Sequence, residues 1–551
     1  MKTRLFIAAM AAIAIIGCQK EADGPVVADG QASFLKVDLR AAGTITKATD
    51  DGSYEYGTDA ENKVNTVHFW FFDASGAAYA VQGTQNFLAV TPSWAPGTPN
   101  QNVEEISDVV LVIKQSTVAP PTQMIAVLNA PAAIQKTMTK AELEAAVVES
   151  LKTGDGFIMS NSVYADGAVT VNATEILSEN IFTSTEVGDY EVGDVIPADK
   201  VASMNITPIE VYVERVAAKV KVSGGTGVDL NKIPVYELDE EGEFTTNQVK
   251  DSKGNALFAK VLGWQITNDT QSANLLKKID PSWDNTIGFT TWNNAAFFRS
   301  YWATTAAEPV HNFTFNDLKA HNVTEDYYFE NTKKAADENG VDVDDEGSYD
   351  NPNTTANQAS QLLVAAQLVD NAGAPVSLAK WYGVLYTVAD LKTAMVGTVA
   401  SKLYVKDGEN LVSIDVDDVA FEQVPQTVAD NRYEVKMAPK TGVSYFSADG
   451  SAADAATIIA GVDPAQMWGD ETNKGYTYYY VTVEHYGTAK GIVRNHCYDI
   501  KIDKVGGLGT PVYDPDMVIT PEKPEDQDAL NLAARVNILS WHLVNQNVVL
   551  K

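Results

Sequence analysis

Two cysteines, six histidines and a large surplus of carboxylates are the chemically capable residues of this 551-residue sequence. The histidines are His68, His311, His321, His485, His496 and His542. No two have metal-ligand spacing, and no His-Glu-x-x-His occurs. There is no Gly-x-Ser-x-Gly elbow, no glycine-rich phosphate loop and no dinucleotide fingerprint. Asp342-Val343-Asp344-Asp345-Glu346-Gly347 begins like a calcium loop, but Asn353 stands where the closing glutamate belongs. It reads as a solvated acidic loop. His485 and Arg494-Asn495-His496 lie amid strand-like sequence and read as loop hydrogen-bonding groups. Phe69-Trp70-Phe71-Phe72 would suit a sugar platform, yet it is apolar on both faces of a strand and reads as core. With 73 acidic residues, any one pair picked for glycosidase chemistry would be arbitrary. The expectation is a protein that is not an enzyme and uses no metal or cofactor.

One cysteine has a specific use. Lys2 and Arg4 precede an apolar run from Leu5 to Ile16, too short to serve as a spanning helix. The run ends in Ile15-Ile16-Gly17-Cys18, the pattern read by the lipoprotein signal peptidase. Residues 1–17 are thus expected to be a signal peptide, and Cys18 the lipidated N-terminus that follows cleavage. An acyl chain anchors by burying methylenes worth about 0.8 kcal/mol each. A lipidated Cys18 cannot pair with Cys497, so Cys497 reads as a small buried apolar residue and the fold as disulfide-free.

The net charge of −33 opposes nucleic-acid binding and an electrostatic grip on anionic lipid. The length supports more than one domain. Period-two alternation dominates: Leu35/Val37/Leu39, Val67/Phe69/Phe71 and Leu362/Val364/Ala366/Leu368 are strand patterns, and Met124–Leu128 is a short buried-type strand. Val211–Val222, Tyr476–Val483 and Tyr498–Ile502 also read as strands. Thr139–Leu151 is the best helix, opened by the capping box of Thr139 and Glu142. Short strands with Gly, Asn and Asp turns indicate β-sandwiches, with a boundary near Arg215. Residues 510–528, with Pro511, Pro515, Pro521 and Pro524 among acids, read as an extended linker. An apolar strand, Val536 to Leu550, follows it.

The two ends pose a common question, because a strand needs ladder partners. The Leu35–Leu39 strand is followed by Arg40 and Lys47 in small, polar sequence suited to proteolysis. A cut there would strip that strand and leave a groove. A C-terminal strand from another copy would fit it by strand addition. The plainer alternative is that both strands complete the domains of a monomer.

Ordered along the chain are the lipobox at Cys18, Val67–Gly76, Ile125-Ala126-Val127-Leu128-Asn129-Ala130-Pro131, Phe157-Ile158-Met159-Ser160-Asn161 and Glu214-Arg215-Val216-Ala217-Ala218-Lys219. Then come Tyr328-Phe329-Glu330-Asn331-Thr332, Gly491–Ile500, the acidic proline segment and Trp541-His542-Leu543. In this combination the chain resembles the fimbrillin family of type V pili, most closely the shaft subunits of the minor fimbria. The resemblance implies a mainly β fold of two tandem transthyretin-like, Greek-key β-sandwich domains, with a few short helices. It divides the chain into a signal peptide (1–17), a propeptide with a removable strand (18–47), two domains (48–215 and 216–509), a linker (510–528) and a donor strand (529–551). It further implies export as an outer-membrane lipoprotein, removal of the propeptide by a trypsin-like protease, and polymerisation into a surface fimbria supporting adhesion and biofilm formation.

The family is cut after an arginine. Here Lys47-Ala48 occupies the corresponding place, with Arg40-Ala41 as the alternative. Within the donor strand Val536 and Ile538 share one side; the alternation slips near Leu539-Ser540, where a bulge would re-aim Trp541 and Leu543. The implied partners are further copies of this chain, anchor and tip subunits, the protease, and a host or bacterial surface receptor. The competing expectation is a monomeric surface lipoprotein that binds glycans and keeps its lipid.

Overall fold

A computed structural model describes residues 32–41, 54–55, 57–91, 95–96, 105–114, 120–166, 169–182, 187–192, 194, 196, 198–203, 208–239, 244–279, 303–306, 313–332, 360–425, 433–469, 472–486, 489–519, 533–539 and 541–550. The chain is mainly β, in two tandem β-sandwich domains with short helices.

The N-terminal domain is built on a nine-stranded sheet. Its order runs Phe87–Val90, Val67–Phe72, Gln123–Leu128, Met159–Asn161, Ile209–Arg215, Ala32–Ala41, Glu105–Lys114 and Ala95–Pro96, with Thr174–Glu175 beside Gln123–Leu128. The aromatic strand shows why the sheet is double-sided. Val67, Phe69 and Phe71 enter one core with Leu35, Val37, Leu111 and Val211. Trp70 and Phe72 point to the opposite face, where Ile125, Leu143, Leu275 and Phe329 cover them. Period two thus delivers alternate side chains to two cores. The aromatic run is fully buried, as its two apolar faces require.

The main chain leaves this sheet at Arg215 and enters the second at Ala217. There Ala217–Gly224 pairs antiparallel with Glu325–Phe329 and parallel with His496–Gly506. Phe258–Thr267, Gln361–Val369 and Tyr476–Thr482 form an antiparallel set on the same twelve-stranded sheet. Val220, Val235, Trp264, Leu362, Tyr479 and Ile500 lie in its core.

Three expectations are corrected here. The helix read over Thr139–Leu151 runs only Lys140–Glu144. Its capping box is formed, Thr139 accepting from the Glu142 N–H. Val147–Val148 instead pairs with the distant Ala273–Asn274, because β-branched residues with a ladder partner gain more as strand than as helix. The linker read from residue 510 starts inside the fold. Thr510–Pro511 pairs with Tyr476–Thr482, and Val512 and Ile519 are buried against Phe315 and Leu318. Proline is tolerated there because the strand lies at the end of the sheet order. The single C-terminal strand is two strands, Ala533–Leu539 and Trp541–Leu550, paired antiparallel. Two consecutive strands that pair antiparallel require a chain reversal between them, where the sequence suggested a bulge.

A further unit was not read from the sequence. Between strands of the C-terminal sheet the chain forms a separate five-stranded sheet, ordered Val384–Thr387, Leu378–Trp381, Ala465–Trp468, Tyr433–Pro439 and Val419–Pro425. Helix Val388–Val399 packs Leu391, Met395, Val396 and Val399 into its core. The signals were Thr387, which caps the Asp390 N–H, and apolar residues at helical spacing after it.

Candidate functional site

The first strand, Ala32–Ala41, is internal to its sheet. All ten residues are in antiparallel register with Glu105–Lys114, from Ala32 opposite Lys114 to Ala41 opposite Glu105. On the other edge Val37–Ala41 runs parallel to Ile209–Val213. Phe34 exchanges backbone bonds of 3.0 and 2.9 Å with Phe182 beyond the parallel stretch. Leu35 and Val37 are fully buried in the main core, and Phe34 is buried on the opposite face with Val110 and Val112. Each such side chain contributes roughly 1.5–3 kcal/mol by leaving water. Losing this segment would bare two ladders and the Leu111, Ile113, Val211 and Val213 side chains that it covers. Leu39 lies opposite Ser107 and Val211 in the two registers, and Arg40 opposite Ile106 and Tyr212. Cys18, Lys47 and Ala48 lie outside the described residues.

At the other terminus, Val536 and Ile538 fall in Ala533–Leu539, and Trp541 and Leu543 in Trp541–Leu550. Both strands register on His496–Gly506 of their own chain, the first antiparallel and the second parallel. Trp541–Leu550 also pairs with Tyr54–Glu55. These C-terminal strands are therefore laddered on their own chain.

Between the domains lies a buried ionic cluster. Three sequence segments converge on it: Glu214–Lys219, Glu330–Asn331 and Arg494–His496. The Lys277 ammonium meets the Glu214 carboxylate at 2.9 Å with both side chains fully buried. The Arg494 guanidinium pairs with Glu330, also fully buried. It donates to the carbonyls of Leu275 at 3.1 Å and Asn274 at 2.5 Å as well. A second pair joins Lys219 to Glu61 at 3.0 Å, with Glu325 on the same ammonium at 3.1 Å. Arg215 donates to the Glu61 carbonyl and to Asn62. Asn495 adopts a left-handed backbone (φ 57°), donating to the Ala217 carbonyl and accepting from the Arg215 N–H.

The electrostatics follow from burial. Desolvation raises the Glu214 carboxyl despite Lys277 and Arg494 nearby, and lowers the Lys277 ammonium despite Glu214 and Glu330. Burial also acts against the Arg494 charge, but Glu330 and Glu214 outweigh it and hold the guanidinium ionised. Burial pushes Glu61 up, yet the Thr58 N–H and Lys219 more than compensate and hold it below the usual range. Glu214 and Glu330 against Lys277 and Arg494 balance in charge. The cluster ties strands of both domains together and presents no exposed nucleophile, so its chemistry is that of a structural junction.

The remaining candidates settle into structural roles. The His485 Nδ1 bonds the Tyr498 hydroxyl at 2.8 Å, and the His496 Nδ1 bonds the Arg494 carbonyl at 2.7 Å. His321 bridges Asp326 and the Trp264 carbonyl. Cys497 is fully buried in the core of the C-terminal sheet. The acidic loop at 342–347, its Asn353, His311 and the His542 side chain lie outside what is described. Among the described residues, no group of three or more His, Cys, Asp or Glu is placed to hold a metal ion. No described helix is long and apolar enough to cross a membrane.

No protein-family model matches the chain, and no curated protein matches it. Solved structures similar in outline include three bacterial proteins. A candidate cell adhesion protein from Parabacteroides distasonis is 13% identical over 94% of this chain and 96% of that one, with a TM-score of 0.35. One from Bacteroides eggerthii is 10% identical over 96% and 99%, with a TM-score of 0.32. The tip fimbrial protein Mfa3 from Porphyromonas gingivalis, with a C-terminal truncation, is 14% identical over 74% and 100%, with a TM-score of 0.26. At these TM-scores the likeness carries no argument about this chain.

Proposed function

We propose that this chain is a structural subunit of a cell-surface fimbria, not an enzyme, and that it polymerises by protease-gated strand exchange. It is exported as a lipoprotein through Cys18, cut after Lys47, and joined to the next copy by its C-terminal segment. The observation that carries the reading is the position of Ala32–Ala41. It is the most N-terminal strand described, yet it sits inside the sheet with both edges paired. A single cut downstream would therefore release an internal strand without breaking any other connection of the domain. The resident strand is the gate, because it fills the groove until it leaves.

The ladder also favours Lys47 over Arg40 as the cut. Arg40 is registered on both edges, and a protease must unfold such a segment before binding it. The balanced junction cluster suits a subunit that transmits tension from one domain to the next without bending. Anchor and tip subunits, a trypsin-like protease and a surface receptor are the partners this role requires.

One observation favours the monomeric glycan-binding alternative: the C-terminal strands ladder onto their own domain. Under strand exchange that cis hairpin is a parked state, which opens when a neighbouring groove offers a longer ladder. Limited trypsin treatment of the full-length chain, followed by electron microscopy and gel analysis, separates the two. The cut chain forms fibres, the uncut chain does not, and Trp541→Ala or deletion of 529–551 leaves the cut chain folded and monomeric. Trypsin-cut chain that has lost its first strand and stays monomeric, or fibres from the deletion variant, would overturn the proposal.

A further inference from the structure

The inserted five-stranded unit takes no part in either terminal exchange, and one residue on it fits neither turn nor core. Leu378–Trp381 and Val384–Thr387 form a hairpin closed by the two residues Tyr382-Gly383, with Trp381 opposite Val384. Both central residues are left-handed, Tyr382 at φ 46° and Gly383 at φ 77°. A turn of this kind selects Asn, Asp or Gly at its first central position, because a bulky side chain is strained there. The Tyr382 ring gains little from burial either, being 69% exposed.

The ring is nonetheless held in place. Its hydroxyl donates to the Asp463 carboxylate at 2.8 Å, and the ring lies against Trp381 at 4.7 Å between centroids. Trp381 is fixed in turn by donating from Nε1 to the Asp463 carbonyl at 3.0 Å. Apart from its two chain neighbours, no atom lies within 4 Å of where a Cβ on Gly383 would stand. A strained, exposed and preorganised aromatic ring is what contact with a ligand would keep and stability alone would not.

We infer that Tyr382 and Asp463 form a subsite for one pyranose ring of a surface carbohydrate. The apolar C–H face of the sugar stacks on the open face of Tyr382, and the Asp463 carboxylate accepts from a sugar hydroxyl. A cation cage would need several exposed rings facing the charge, whereas here Trp381 is buried and tilted 45° to Tyr382, which is the one largely exposed ring of the pair. The inference stands apart from strand exchange, and either can fail without the other.

Saturation-transfer NMR on the full-length chain with methyl β-D-galactopyranoside and methyl α-D-mannopyranoside tests it. At least one is expected to show transfer to its ring C–H protons. Tyr382→Asn, which suits the turn better, should melt no lower than the parent and lose at least tenfold in affinity. Tyr382→Phe, which keeps the ring, should stay within about threefold. No transfer from either sugar, undiminished transfer in Tyr382→Asn, or displacement of the sugar by Nα-acetyl-lysine methylamide would overturn the assignment, the last by marking a cation site.

Discussion

Replacing Lys277 with methionine deletes one charge of the junction cluster while keeping the length of the side chain. Glu214 is then left fully buried without its nearest cation, and its Oε1 already lacks a hydrogen-bond partner among the described residues. Taking up a proton is the least costly escape. Removing one side of a buried pair costs roughly 3–5 kcal/mol. The sign of the pH dependence follows. Burial already raises the Glu214 carboxyl in the parent and Lys277 opposes that rise, so without Lys277 it rises further. The folded variant therefore holds the Glu214 proton to higher pH than the folded parent does, and its deficit grows as pH rises. The deficit should be roughly 3–5 kcal/mol at pH 7 and smaller at pH 5.5. Urea unfolding followed by tryptophan fluorescence at the two pH values measures it. Glu214→Leu combined with Lys277→Met should recover most of the loss, since no buried charge is then stranded. An equal deficit at both pH values, or a double variant weaker than the single, would show that Lys277 and Glu214 do not meet as an ion pair.

Three further outcomes are expected. Glu61 is held below its usual range, so its contribution is complete above about pH 4.5 and disappears as pH falls through its lowered folded value. Glu61→Gln should therefore lower the urea midpoint at pH 7, and the gap to the parent should shrink steadily as pH falls below 4.5. Asn129 has a left-handed backbone (φ 53°), its amide donates to the Lys63 and Phe157 carbonyls, and its carbonyl oxygen accepts from the Asn65 N–H. Asn129→Ala should cost about 3 kcal/mol in thermal or urea unfolding, from buried groups left unpaired and from loss of the amide side chain that makes the left-handed backbone tolerable. Leu35→Ala removes a fully buried side chain from the first strand and weakens its seat by roughly 2–5 kcal/mol. The half-time for tryptic release of that strand should shorten at least tenfold; an unchanged half-time would mean that release does not pass through opening of this core.

Local pattern carried the sequence reading wherever one strand decides its own burial. Val67–Phe72, Gln123–Leu128 and Gln361–Val369 were visible because alternation or apolar continuity is a property of the strand itself. The Thr139 cap was legible, but the helix end was not, because the partner of Val147–Val148 lies at Ala273–Asn274. The junction shows the same limit on a larger scale. Glu214–Lys219, Glu330–Asn331 and Arg494–His496 each stood out as a motif, yet nothing local says that three segments spread over 280 residues share one cluster. The inserted unit was missed because helix Val388–Val399 carries a weak amphipathic pattern within a chain of short strands. The C-terminal hairpin was half legible: the slip at Leu539-Ser540 was seen, and only the backbone pairing turns it from a bulge into a reversal.

The central claim is that Ala32–Ala41 occupies its groove only until the subunit joins a fibre. Terminal peptide mass spectrometry on fibres sheared from cells tests it most directly. The account predicts assembled subunits beginning at Ala48, with no peptide spanning Phe34 to Arg40 in the fibre. Assembled subunits that still begin at a lipid-bearing Cys18 and retain that strand would contradict it.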